Sequence, residues 1–115
     1  MQYLLLIYHD EAKWNAIPDN EKEGIYARYR ALREDLQKKG TYLGGSQLQS
    51  IATATTVRVR DGKAGFTDGP FAETKEQLGG YFLVEAKNLD EALEIATRIP
   101  SAQTGSIEVR PLVMR

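Results

Sequence analysis

Cysteine is absent from these 115 residues, and histidine and tryptophan occur once each. No disulfide framework, thiolate zinc site or cysteine nucleophile can therefore be built. A transition-metal site would rest on a single imidazole, so no metal and no cofactor is expected. Neither sign of charge dominates: 15 Lys and Arg stand against 16 Asp and Glu, and the net charge of −1 gives no footprint for nucleic acid. Long apolar runs are missing too. "YLLLIY" at Tyr3–Tyr8 is strand-sized, well short of the roughly 20 residues of a membrane span. Met1-Gln2-Tyr3 lacks the basic start of a signal peptide, and a cytoplasmic location with no membrane partner is the expectation. What is present, 42% apolar and 27% charged residues, is the composition of one ordinary globular domain spanning 1–115.

The patterning alternates between strand and helix. Tyr3–Tyr8 is continuously apolar, as in a strand covered on both faces. Ile25, Tyr29, Leu32 and Leu36 recur at helical spacing within residues 20–39, with Ile17-Pro18 marking the entry, Asn20 and Glu23 at capping-box spacing and Gly40 as the exit. Residues 41–49 predict a strand weakened by Gly44-Gly45, where a bulge or bend is expected. Val57 and Val59 alternate with arginines ahead of Asp61-Gly62, a two-residue hairpin signal. Tyr81–Ala86 predicts another strand. Asn88 and Glu91 open a second helix that Pro100 ends, and Ile107, Val109 and Val113 mark a last strand in which Pro111 argues for a sheet edge or a bulge. The order is β-α-β, a hairpin, then β-α-β. That predicts an α+β fold, the ferredoxin-like split βαβ with an inserted β-hairpin. Two helices cover one face of such a sheet, so a homodimer is expected to cover the other.

"MQYLLLIYHDE", "TATTVRVRDGK", "TDGPFAETKEQLGGYFLVEA" and "EVRP" occur in this order over nearly the whole chain. Together they resemble the YCII-related (YciI-like) proteins of the DGPF type, whose namesake tetrapeptide stands at Asp68-Gly69-Pro70-Phe71. The resemblance implies a ferredoxin-like domain that dimerises face to face as a dimeric α+β barrel. It implies no settled activity. Some proteins of this kind are encoded beside sigma factors of the extracytoplasmic-function type, which implies an accessory link to such a factor. A related enzyme of the fold performs dehalogenation with a histidine and an aspartate.

Two stretches carry candidate chemistry. His9 closes the first strand, where a sheet presents side chains to a cleft, and imidazole is suited to acid–base work near neutral pH. Asp10 and Glu11 follow it, but adjacent residues diverge and do not make a metal site. In "TDGPFAETKEQLGGYF", Asp68 either accepts hydrogen bonds from the turn that Gly69-Pro70 enforces or serves as a carboxylate in a site. Phe71 is expected to plug that loop. Glu73, Lys75 and Glu76 are too polar for a buried segment unless they line a wet cavity, and Thr74 and Gln77 stand at capping-box spacing. The expectation is a cleft rimmed by Asp10, Gly69, Pro70, Phe71, Glu73, Lys75, Glu76 and Tyr81, holding a small molecule. The alternative is a metal-independent, dehalogenase- or lyase-like enzyme in which His9 and Asp68 exchange protons with a substrate. "GGYFLVEA" superficially matches the aromatic strand of an RNA-recognition motif, but alternating aromatics without basic neighbours belong to a core.

Overall fold

The computed structural model describes residues 1–115. Its first strand, β1 (Gln2–His9), is not buried on both sides: Tyr3, Leu5 and Ile7 are buried, while Leu4, Leu6 and Tyr8 are only half-buried. Side chains alternate across a strand, and within one chain the helices cover only the odd-numbered row. Opposite β1 lies β5 (Gln77–Glu85), where Phe82 and Val84 belong to the same covered face.

Between these strands come α1 (Glu11–Asn15), α2 (Asp19–Lys38) and β2 (Tyr42–Gln47). The short α1 has no counterpart in the periodicity, since five residues are too few to show one. Asp10 starts it by accepting a hydrogen bond from the Lys13 N–H at 3.3 Å. The capping box at Asn20 and Glu23 is not used. α2 begins one residue earlier, behind Pro18, which caps without a side-chain bond and whose carbonyl accepts from the N–H groups of Glu21 and Lys22. Proline fixes the backbone at the entry, so the start is set before Asn20 can cap it. Leu32 and Leu36 of α2 are buried against the sheet.

The chain then forms β3 (Thr55–Arg60) and β4 (Lys63–Asp68), joined by Asp61 at φ 52° and Gly62 at φ 75°. Two successive positive φ values are what the tight hairpin turn needs. This hairpin is a sheet of its own, and Val57, Val59 and Phe66 along it are 57%, 59% and 71% exposed. After β5 come α3 (Leu89–Thr97) and β6 (Ser106–Pro111). Asn88 caps α3 as its spacing predicts, accepting from the Glu91 N–H at 3.0 Å.

The main sheet has the order β2-β5-β1-β6 with all neighbours antiparallel. Pro111 thus falls on an edge strand, as its missing N–H requires. Leu5, Val84, Leu36 and Ile99 are the most deeply buried large side chains, sandwiched between this sheet and the two longer helices. The fold is α+β. No helix is long and apolar enough to cross a membrane.

Candidate functional site

The polar loop after β4 does not line the principal cleft. Asp68 pairs with Thr55 at the end of the hairpin and is exposed. Gly69, at φ +99°, donates to the Ala54 carbonyl at 2.7 Å and accepts from the Thr56 hydroxyl at 2.9 Å, closing the base of the arm. Phe71 is 80% exposed, so the expected plug is corrected: nothing in the chain covers it, because the arm carries the loop away from the core. Glu73 and Lys75 are exposed as well. Glu76 accepts a hydrogen bond from Ser106 at 2.7 Å. Thr74 and Gln77 do not cap a helix. The Thr74 hydroxyl donates to the Glu76 carbonyl at 2.5 Å, and the Gln77 amide donates to the Thr74 carbonyl at 2.7 Å.

The principal cleft, about 260 Å³, opens between one face of α2 and the sheet. Tyr26, Tyr29, Arg30 and Arg33 line it from α2, at spacings that share one helical face. The sheet contributes Ile7 and His9 from β1, Tyr42 and Gly45 from β2, and Gly79, Gly80 and Phe82 from β5, while Trp14 closes one end. Of the residues expected to rim a site, His9 lines this cleft and Tyr81 meets it through its main chain, its side chain lying on the opposite face of the sheet; Asp68, Gly69, Pro70, Phe71, Glu73, Lys75 and Glu76 do not line it, and Asp10 lines a neighbouring cleft of about 240 Å³ that His9 also reaches. His9 and Asp68 are therefore not brought to one wall within a single chain.

Close backbone approach shapes the floor. A Cβ at Gly45 would stand 2.6 Å from the Tyr81 carbonyl and 2.8 Å from the Tyr42 hydroxyl, and one at Gly79 would stand 2.6 Å from Nε2 of His9. Gly79 is the extra residue of a bulge, since β1 pairs Ile7 with Gly80 and then Tyr8 with Leu78. The His9 ring fills the space this glycine leaves and stacks on Trp14, with centroids 5.7 Å apart at 29°. Trp14 meets Tyr26 edge-on at 5.7 Å, and the Tyr26 hydroxyl accepts from the Gln47 amide at 3.2 Å. Deeper in, Phe82 is met edge-on by Tyr29 and Tyr42.

Tyr29 shares a hydrogen bond with the Ser101 hydroxyl at 2.5 Å. Burial pushes its phenol pKa up against the opposing effect of that bond, so it stays protonated and polar without charge. Glu11 opens α1, two residues after His9. Its carboxylate accepts from the Ser50 hydroxyl and from the Ile51 N–H at 3.1 Å, and these bonds, with a smaller contribution from His9, hold its pKa below the ordinary value. The Glu11 N–H in turn donates to the Gln77 side chain at 2.9 Å, which ties the polar loop's end to the start of α1. No group of three His, Cys, Asp or Glu converges to hold a metal ion.

The sequence pointed to His9 and Tyr81 but not to Trp14, Tyr26, Arg30, Arg33 or Gly45. The spacing of Tyr26, Tyr29, Arg30 and Arg33 was a signal in plain view, yet a helix stripe of tyrosine and arginine is equally that of a solvated face. Comparison with known proteins places the molecule. The chain is 38% identical over 116 residues to an uncharacterized protein of Rhizobium meliloti (strain 1021), covering 99% of this chain and 94% of the relative. The family model for the YCII-related domain matches residues 1–114, and the chain belongs to that family.

Proposed function

We propose that the protein binds a small molecule in the cleft between α2 and the sheet. The observation that carries this reading is the cleft's construction: about 260 Å³ walled by aromatic rings and floored by glycines that admit no side chain. That volume lies just under the range of about 300–1,000 Å³ typical of drug-sized ligands, so the occupant is of small-metabolite size. The DGPF loop serves the architecture of the arm and is not the binding surface of its own chain. Trp14 is the only tryptophan and lines the cleft, so its indole N–H gives one NMR signal that reports occupancy. Screening small metabolites against that signal should find binders that move it and stabilise the fold. A screen in which stabilising compounds leave the indole signal unmoved would place the site elsewhere.

The working unit in this reading is a homodimer, with the ferredoxin-like sheets facing each other as a dimeric α+β barrel. Support comes from the helix-free face, where register aligns Leu4 with Leu83 and Leu6 with Tyr81, all only half-buried. An isolated two-stranded hairpin is marginal in water, and the exposed Val57, Val59 and Phe66 give this one an apolar side for a second copy. Sedimentation at micromolar concentration should give a dimer; a stable monomer would refute the barrel. A second reading, proton transfer by a metal-independent enzyme, is favoured by His9 reaching both clefts. Its base is His9 without Asp68 from the same chain, and His9→Gln should then abolish turnover while leaving binding intact.

A further inference from the structure

The charge lining the cleft differs from that of the whole chain. Acids outnumber bases by one overall, yet no Asp or Glu is among the cleft's sixteen lining residues, while Arg30 and Arg33 both are. Neither arginine is committed elsewhere: the ion pairs of the molecule join the N-terminus to Glu85, and Lys39 and Arg98 to Asp35. Two unpaired guanidinium groups one helical turn apart, at the mouth of an aromatic box without a counter-charge, form a half-built ion pair. The missing half is an anion.

Resting on the reading of the cleft as a binding site, we infer that its ligand is a small aryl carboxylate. The planar guanidinium fork matches a carboxylate by two parallel hydrogen bonds. The ring of such a ligand lies against Trp14, Tyr26 and Phe82, where aromatic faces and edges are already arranged for offset or edge-on contact. A phosphate ester can use the same fork but is the weaker fit, because its further oxygens gain no backbone N–H from α2, which meets the cleft along its side through Tyr26 to Arg33 rather than at its N-terminus.

The test uses the intact chain labelled with nitrogen-15 and follows the Trp14 indole signal. Benzoate, 1-naphthoate and 2-naphthoate are titrated beside their primary amides, which keep the shape and lose the charge, and beside inorganic phosphate. At least one of the acids should move the signal saturably and bind about tenfold more tightly than its amide. Arg33→Gln should remove most of that tenfold difference while leaving the amide's affinity unchanged, and Arg30→Gln should act in the same direction. Acid and amide binding equally, both moving the indole signal, would overturn the anion preference and leave the cleft reading standing. Phosphate displacing the acid at equal concentration would overturn the carboxylate in favour of a phosphoryl group. If no acid or amide moves the signal at millimolar concentration, both the inference and the cleft reading fall.

Discussion

A methyl group added at Gly79 isolates the packing of His9 from every other property of the site. Gly79 lacks the positive φ that demands glycine, so alanine fits the backbone and only space is at issue. The new Cβ would lie 2.6 Å from Nε2 and 3.0 Å from Cε1 of His9, closer than atoms tolerate, and the neighbour that must yield is a side chain. The ring can swing out, at the cost of its stack on Trp14, which is worth about 0.5–1.5 kcal/mol. If it stays, the overpacking costs about 1–3 kcal/mol. The cheaper route sets the answer, so Gly79→Ala should destabilise by about 1 kcal/mol, roughly 4 °C in Tm for a chain of this size. In a His9→Ala background the same change should cost nothing or stabilise slightly, because replacing glycine stiffens the unfolded chain. Urea titrations of the four proteins in this cycle give the coupling energy, expected near 1 kcal/mol. A coupling under about 0.3 kcal/mol would refute the view that this glycine exists to seat the imidazole.

Phe71→Ala should change stability by under about 0.5 kcal/mol at concentrations dilute enough to keep the chain monomeric, against about 2–5 kcal/mol for Leu36→Ala, both read by denaturant titration. Asp68→Asn should be similarly mild, since that side chain is exposed and holds no hydrogen bond. Asn88→Ala removes the cap of α3 and should cost about 1 kcal/mol, seen as a lower urea midpoint at unchanged slope. Glu11 has a folded pKa below its ordinary 4.5, so its contribution is fully present above about pH 4.5 and is lost as pH falls through the lowered value; Glu11→Gln should flatten the acid limb of a stability–pH curve.

Much of the fold was legible because its signals are local. Asp61-Gly62 needed only a turn that accepts positive φ, and Asn88 needed only a free N–H three residues on. Pro111 narrowed its strand to an edge or a bulge because of its missing donor, and the strand order makes it an edge. Asn20 misled for the same local reason: its spacing was right, but Pro18 had already set the entry of α2. Phe71 misled because apolar residues are often exposed, and only the projection of the arm decides which. The site was harder, because its walls come from β1, α1, α2, β2 and β5, which meet only after folding. Whether Arg30 and Arg33 face water or a cleft depends on how α2 lies across the sheet, which no spacing within the helix encodes.

The hairpin that forms its own sheet divides the molecule into two parts of unequal cohesion. Every residue of β4 is exposed, so opening β3 from β4 uncovers almost no apolar surface beyond what water already touches. In the monomer its amide protons should therefore exchange by local opening at far lower free energy than those of β1 or β5, whose release requires the core to come apart, and dimerisation should raise the hairpin's protection. Two sets of bonds fence this unit off: Gly69 to Ala54 at the foot of the arm, and Gln77 to Glu11 where the loop rejoins the sheet. Residues 70–75 lie between those fences, with Glu76 held by Ser106, so the arm can fluctuate as one body while the glycine floor of the cleft, a few residues downstream, keeps its shape.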